Sequence, residues 1–195
     1  MLSPGFEDNS KGWVCNGFSP QSNDAFELKE GTYYCEIWSG WGNVADGDIH
    51  QIVELPNGNY QLTVLAQNIQ ESNKAIPQKG AYVYANNARK ELSLTGKYTL
   101  DFVVVDNQAK IGVNTIGCTG NKVSIDDFHI YYTGFDDDAQ FAEFRQMIQE
   151  GEALLESPQH ADSLAMLAKA VEEAKAVTKT EDIADKANIL RKAIT

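Results

Sequence analysis

The chain has 195 residues, 43% of them hydrophobic, and a formal net charge of −12 at pH 7, because it carries 28 acidic and 16 basic residues. This length and composition suffice for one medium or two small domains with a buried core. The acidic balance argues against a nucleic-acid partner, since phosphate contacts need a cationic surface, and no apolar run reaches the roughly 18 residues that a membrane span needs.

The composition changes near Gly134. All three Trp, all eight Tyr, all three Cys and all but one of the 15 Gly precede residue 135, whereas the remainder is rich in Ala, Glu, Lys and Leu. Short alternating apolar segments separated by turn residues fill the first part, which is the pattern of a β-sandwich. We therefore predict a mainly-β fold, with a jelly-roll β-sandwich in residues 1–134 and a separate helical segment in residues 135–195.

The strands are predicted from period-2 alternation and from turn signals such as the Pro, Asn and Gly of residues 56–59. Their number, about nine, suits a double-sheet Greek key. The predicted strands are residues 25–29, 32–38, 49–55, 60–66, 81–85, 91–95, 98–105, 110–116 and 121–132.

The last predicted strand contains an irregularity. Its apolar residues alternate up to Ile125 and resume at Phe128, so the pattern slips by one residue at Asp126 and Asp127. A β-bulge explains such a slip, and bulges re-aim side chains at sheet edges and beside sites. The two carboxylates are therefore either metal ligands or acceptors for hydrogen bonds from an incoming loop.

After Gly134 the apolar period becomes helical. Three amphipathic helices with short connections predict a small antiparallel bundle, which we interpret as a connector, with a docking surface as the alternative. Ser157 and Pro158 match an N-cap followed by Pro at the first helical position. The apolar stripes include Phe141, Phe144 and Ile148, then Leu164, Leu167 and Val171, then Ile183, Ala187 and Leu190.

The aromatic residues near position 38 are the candidate binding surface. Alternation in residues 32–38 places Tyr34, Glu36 and Trp38 on one face of the strand. Trp41 follows in a loop that is too polar to bury two indoles, so both Trp rings should stay partly exposed. Exposed rings beside carboxylates and amides suit a sugar, which presents an apolar C–H face and a rim of hydroxyls. In the alternative, Trp38 closes the end of the sandwich and Trp41 packs beneath its loop. The predicted carbohydrate site comprises Trp38, Trp41, Tyr34, Glu36 and Asn43.

Several segments carry a family resemblance. SPGFEDNSKGW, YYCEIWSG, DIHQIVELPNGNYQLTVLA and GNKVSIDDFHIYYTG occur in this order, and together they resemble galactose-binding-domain-like β-sandwich modules, over residues 3–134. Such modules are attached to glycan-degrading enzymes and adhesins in bacterial surface and secreted proteins. The tail resembles the small three-helix repeats found beside them. The resemblance implies an extracellular or cell-surface location within a longer protein whose other domains are partners.

The resemblance also implies a metal. In these modules an acidic residue after the first strand and an Asp on the last strand often hold a structural Ca²⁺, and Glu7 and Asp126 or Asp127 match those positions. Hard oxygen ligands suit Ca²⁺, and backbone carbonyls of the EDNSKG loop would complete the shell. The alternative is that Asp126 or Asp127 accepts hydrogen bonds from backbone N–H groups of that loop without a metal.

The sequence favours a binding function over catalysis. It contains no nucleophile-elbow, zincin, P-loop or dinucleotide-binding motif, and Asp126 and Asp127 are adjacent on a strand rather than a separated catalytic pair. We expect a non-catalytic carbohydrate-binding module of a larger secreted or cell-surface bacterial protein, with a glycan as partner. An adhesive or protein-binding module and a structural spacer are the alternatives.

Overall fold

The computed structural model describes residues 1–156 and 161–195, with side chains described outside residues 161–163. The predicted N-cap at Ser157 and Pro158 lies outside these residues. The strands are β1 (Glu7–Ser10), β2 (Val14–Asn16), β3 (Ser19–Gln21), β4 (Tyr34–Trp38), β5 (Asp48–Glu54), β6 (Gly58–Ile69), β7 (Ala81–Ala85), β8 (Ala88–Leu92), β9 (Gly96–Val104), β10 (Gln108–Asn114) and β11 (Lys122–Gly134). The helices are α1 (Asp137–Leu155), α2 (Ala161–Lys175) and α3 (Ile183–Ile194), and a 3-10 turn at Thr180–Asp182 precedes α3.

Ten of these strands form two antiparallel five-stranded sheets. The first sheet has the order β2-β5-β10-β7-β8, and the second sheet has the order β3-β4-β11-β6-β9. The predicted mainly-β sandwich with a C-terminal helical part is therefore confirmed. Alternate residues of the strands are buried as the core, including Ile49 of β5, Ile111 of β10 and Ile125 of β11, as period-2 geometry requires for a sheet that is covered on one face.

The predicted strand at residues 25–29 is wrong. These residues belong to a covering segment, residues 22–30, that contains no strand. The ring of Phe26 packs against Tyr34 of β4 at a centroid distance of 5.6 Å, and Gln67 Nε2 of β6 donates to the Ala25 carbonyl at 3.3 Å. The apolar residues that suggested a strand are thus used to cover the outer face of the second sheet.

The irregularity in β11 lies where the sequence places it. Asp127 has a φ of 53°, a left-handed conformation that is uncommon outside Gly, Asn and Asp. Ile125 and Phe128 are both fully buried across this kink, and the Phe128 N–H donates to the Pro4 carbonyl at 3.0 Å instead of continuing a regular ladder. The kink re-aims the strand and ties it to the N-terminal segment.

Contacts divide the chain into two compact units. The first contains residues 1–53, 61–102 and 109–131, and the second contains residues 54–60, 103–108 and 132–195. The predicted domain boundary at Gly134 stays a prediction, because two turn segments join the helices in the second unit. The core of that unit includes Phe144, Met147, Leu167, Val171, Leu190 and Val105. Among the described residues, no helix is both long and apolar enough to cross a membrane.

Candidate functional site

A pocket of about 530 Å³ opens on the outer face of the second sheet. Strand pairing builds it: Glu36 lies between Ser19 of β3 and Ser124 of β11, and Trp38 lies opposite Lys122. Because side chains on one face of a sheet alternate, these pairs all project to the same side. We call it the Trp38 pocket, lined by Gly17, Ser19, Gln21, Asn23, Glu36, Trp38, Glu71 and Lys122.

Glu36 is the buried carboxylate of the Trp38 pocket, with 7% of its surface exposed. Its Oε2 accepts a hydrogen bond from Ser124 Oγ at 2.8 Å and a longer one from the Tyr34 hydroxyl at 3.4 Å. Burial raises the pKa of Glu36, and the Ser124 hydrogen bond and the Lys122 charge offset only part of that rise. Side chains of neighbouring strand residues therefore hold the Glu36 carboxylate in one position.

Glu71 links the cation of the pocket to its aromatic ring. One carboxylate oxygen accepts from Lys122 Nζ at 2.5 Å, and the other accepts from Trp38 Nε1 at 2.8 Å. The hydrogen bond from Lys122 is the main reason that the pKa of Glu71 is lowered. Lys122 Nζ also lies 4.0 Å from Glu36 Oε2 and 6.0 Å from the centre of the Trp38 ring. The Trp38 indole is thereby oriented although 56% of its surface is exposed.

Tyr34 contributes to the pocket differently from the sequence prediction. Its ring is fully buried beneath the covering segment, so it offers no surface to a ligand. Its hydroxyl lies 2.7 Å from Asn23 Oδ1 and also contacts Glu36. Burial raises its pKa, followed by the neighbouring Glu36 charge. Tyr34 positions two lining side chains and does not itself line the pocket.

Trp41 and Asn43 lie in the loop that follows β4. Trp41 is 95% exposed, and its carbonyl accepts from Ser39 Oγ at 2.8 Å. The expectation that Trp38 and Trp41 stay exposed is confirmed, and the alternative in which both are packed is wrong. Asn43 is exposed and accepts from Gln70 Nε2 at 3.2 Å. Neither Trp41 nor Asn43 lines the Trp38 pocket, and their membership in the site stays a prediction.

Sequence reasoning missed Lys122 and Glu71. Lys122 falls one residue outside the alternating apolar run of β11, and Glu71 follows β6 in a polar segment. The available signal was the period of β11, which places Lys122 on the same face as Ser124. That signal becomes informative only when β11 is known to pair with β4.

The proposed metal ligands are engaged with backbone N–H groups. Glu7 Oε1 accepts from the N–H groups of Thr32 and Tyr33, each at 2.9 Å. Asp126 Oδ2 accepts from the Glu30 N–H at 2.7 Å, and its Oδ1 accepts from the Asp127 N–H at 2.8 Å. These are bonds of the kind expected in the alternative without a metal, although the donors come from residues 30–33 and Asp127, not from the EDNSKG loop.

The fit to Ca²⁺ at this point is limited. In the described part of the chain no group of three or more His, Cys, Asp or Glu side chains is arranged to hold a metal ion. Burial raises the pKa of Asp126 to about 7, and the two N–H donors counter that rise only in part. The Asp127 carboxylate lies 2.7 Å from His129 Nε2. An ion would have to share oxygens that already accept hydrogen bonds, and Ca²⁺ stays a prediction.

Comparison with known proteins supports the fold. No family model and no curated protein matches the chain. The solved structure of TmCBM61 in complex with β-1,4-galactotriose is 20% identical, with a TM-score of 0.53 over 68% of this chain and 97% of that chain. A cyclase from Fischerella sp. TAU is 13% identical, with a TM-score of 0.50 over 70% of this chain and 96% of the cyclase.

A third similar structure is a family 16 carbohydrate-binding module, which is 15% identical with a TM-score of 0.49 over 67% of this chain and 98% of the module. The galactotriose-binding structure and the Fischerella cyclase, with TM-scores of 0.53 and 0.50, show that a carbohydrate complex and a cyclase share this fold. At these identities the likeness concerns the fold alone, because one β-sandwich architecture carries many unrelated activities.

Proposed function

We propose that this chain is a non-catalytic carbohydrate-binding module that takes its sugar in the Trp38 pocket. The observation that carries the proposal is the pairing of a half-exposed, oriented indole with a buried carboxylate in a single pocket. Ligand sites are typically concave, with an apolar surface and a few fixed polar groups that set orientation. Trp38 provides the apolar surface here, and Glu36 is the fixed polar group.

The geometry of the pocket suits the two chemical faces of a sugar ring. The C–H face of a pyranose packs on a flat aromatic ring, and the Trp38 ring is already held by Glu71 before any ligand arrives. Such pre-organisation reduces the ordering cost of binding. The hydroxyl rim needs both donors and acceptors, which the lining side chains supply as one carboxylate, two amides and one hydroxyl: Glu36, Gln21, Asn23 and Ser19.

The two acids of the pocket favour binding over hydrolysis. A glycosidase needs one carboxylic acid to protonate the leaving group and a second carboxylate to act as nucleophile or base. Glu71 is committed to Lys122 and to the Trp38 N–H through both of its oxygens. A carboxylate tied in this way is a poor nucleophile, which supports a non-catalytic role.

The similar structure that contains β-1,4-galactotriose suggests the first ligand to try. We therefore propose β-1,4-galactan as the starting polysaccharide, followed by other neutral glycans. We also propose that the module belongs to a larger secreted or cell-surface bacterial protein, where attachment to an enzyme or adhesin would bring that protein to a glycan.

The proposal is tested by retention of purified protein on immobilised polysaccharides. Trp38→Ala should weaken binding by on the order of 30-fold, since a central Trp contributes about 2 kcal/mol or more to a binding site, and circular dichroism should show an intact fold. Ile52→Ala is the matched control, because Ile52 is a similarly exposed apolar residue on the first sheet. Unchanged binding by Trp38→Ala would overturn the proposal.

A protein-binding or adhesive module is the second candidate. The observation that favours it is Trp41, which is 95% exposed outside the pocket and resembles the Trp anchors that dominate protein interfaces. Polysaccharide binding by the wild-type protein and by Trp41→Ala together separates the two functions. A small loss of polysaccharide binding would extend the sugar site into this loop, whereas retention of no glycan by the wild-type protein would favour the second candidate.

A further inference from the structure

The charges of the Trp38 pocket are unequally available to a ligand. Two carboxylates, Glu36 and Glu71, line the pocket together with one ammonium group, that of Lys122. The Lys122 side chain is only 7% exposed, and its Nζ contacts Glu71 at 2.5 Å and approaches Glu36 at 4.0 Å. The cation is therefore already neutralised, and the pocket carries an excess of one negative charge.

This arrangement leaves acceptors and few charged donors. An ionised carboxylate accepts hydrogen bonds and donates none. The exposed part of Glu71 therefore requires donors from the ligand. The hydroxyl groups of an uncharged sugar are such donors. The carboxylate of a uronic acid would instead meet this excess negative charge at short range, in a partly desolvated pocket where repulsion is weakly screened.

We infer that the Trp38 pocket selects uncharged sugars and rejects uronic acids, and that Glu71 sets this selectivity by occupying Lys122. The inference rests on the proposed function and names the class of sugar. Glu71 is suited to this role because its side chain is 40% exposed and it holds the ammonium group of Lys122, which lines the same pocket. Removal of its charge would release the Lys122 ammonium to a ligand carboxylate, the interaction that charge-assisted recognition of acids uses.

The test uses one polymer in two chemical forms. Binding of β-1,4-galactan is compared with binding of the same galactan oxidised at C6 to the uronate. If the wild-type protein does not retain galactan, a neutral hexose polysaccharide that it does retain is used instead, again beside its own C6-oxidised form. The wild-type protein should bind the oxidised form at least about tenfold more weakly. Glu71→Gln should raise the ratio of oxidised to neutral binding by about tenfold, and addition of Lys122→Gln to that variant should abolish the gain.

Glu27→Gln is the matched control. Glu27 also pairs with a lysine, Lys74 at 3.4 Å, but does not line the pocket, so its substitution changes net charge equally. An effect of Glu27→Gln as large as that of Glu71→Gln would overturn the inference by assigning selectivity to overall charge. Equal binding of both polymer forms by the wild-type protein would overturn the inference alone. Retention of no polysaccharide would overturn the proposed function and the inference with it.

Discussion

Two buried carboxylates on neighbouring strands of the second sheet differ in their hydrogen-bond partners. Glu36 of β4 is held by hydroxyl groups and lies near an ammonium group, and it lines the Trp38 pocket. Asp126 of β11 gives both of its oxygens to backbone N–H groups and is fully buried. Burial raises the pKa of both. Partners, more than burial, therefore decide whether an acid lines a pocket or ties backbone segments together.

The backbone partners of Asp126 explain its structural use. The Glu30 N–H that it binds belongs to the end of the covering segment, and Glu7 holds the next residues through Thr32 and Tyr33. Gly31 has a φ of 68°, and a Cβ added there would lie 2.5 Å from Glu7 Oε1, so only glycine fits this approach. The two acids together fix the chain between the covering segment and β4.

The largest effect is expected for Asp126→Ala. The change removes the acceptor of two N–H groups, one in the loop before β4 and one in β11, and we expect the free energy of unfolding to fall by about 3 kcal/mol. Urea denaturation measures this value. Asp24→Ala is the control, because Asp24 is an exposed acid in the covering segment and its loss should have no measurable effect. Equal free energies of unfolding for the two variants would show that Asp126 does not stabilise the fold.

Ser124→Ala should have a smaller effect on stability. Ser124 is fully buried, donates to Glu36 and accepts from Gln67 Nε2 at 2.8 Å. Loss of a hydroxyl with two partners should cost about 1 to 2 kcal/mol in the free energy of unfolding. The same variant should bind polysaccharide more weakly than the wild type, because Glu36 loses its shortest hydrogen bond. A stability loss without any change in binding would show that Glu36 does not contact the ligand.

Added Ca²⁺ tests the metal prediction for Glu7, Asp126 and Asp127. If the ion binds the folded protein, the melting temperature of chelator-treated protein should rise, by about 2–4 °C for each 1 kcal/mol of stabilisation in a protein of this size. Mg²⁺ is the control ion, since its smaller size and strict octahedral geometry suit this loop less well. An unchanged melting temperature at millimolar Ca²⁺ would contradict the metal prediction and leave backbone N–H groups as the partners of Glu7 and Asp126.

The smallest expected effect is the contribution of Glu36 to the pH dependence of the unfolding free energy. Because its pKa is raised in the folded protein, the folded state binds more protons than the unfolded state between the ordinary Glu pKa and the raised value. Its contribution to stability is therefore complete below the ordinary value and is lost as pH rises through the raised one. The unfolding free energy of Glu36→Gln should fall less than that of the wild type across this window. Parallel pH profiles would contradict the assignment.

The sequence by itself predicted much of the fold. Eight of the nine predicted strands overlap observed ones, because alternation with period 2 is a local property that half-buried strands must satisfy. The same alternation placed Glu36 and Trp38 on one face, where the structure finds them lining one pocket. The polar loop after β4 correctly indicated an exposed Trp41, since that loop offers little apolar material to bury an indole.

The surroundings of those side chains depend on tertiary contacts that the sequence pattern does not contain. Glu36 and Ser124 are 88 positions apart in the chain, and Trp38 and Glu71 are 33 positions apart. Such contacts depend on which strands pair and in which register, and a strand's own pattern does not encode its neighbour. Tyr34 shows the same limit, because its strand pattern places it on the outer face but the covering segment buries it. Local alternation determines which way a side chain points, whereas strand pairing and loop packing determine what it meets there.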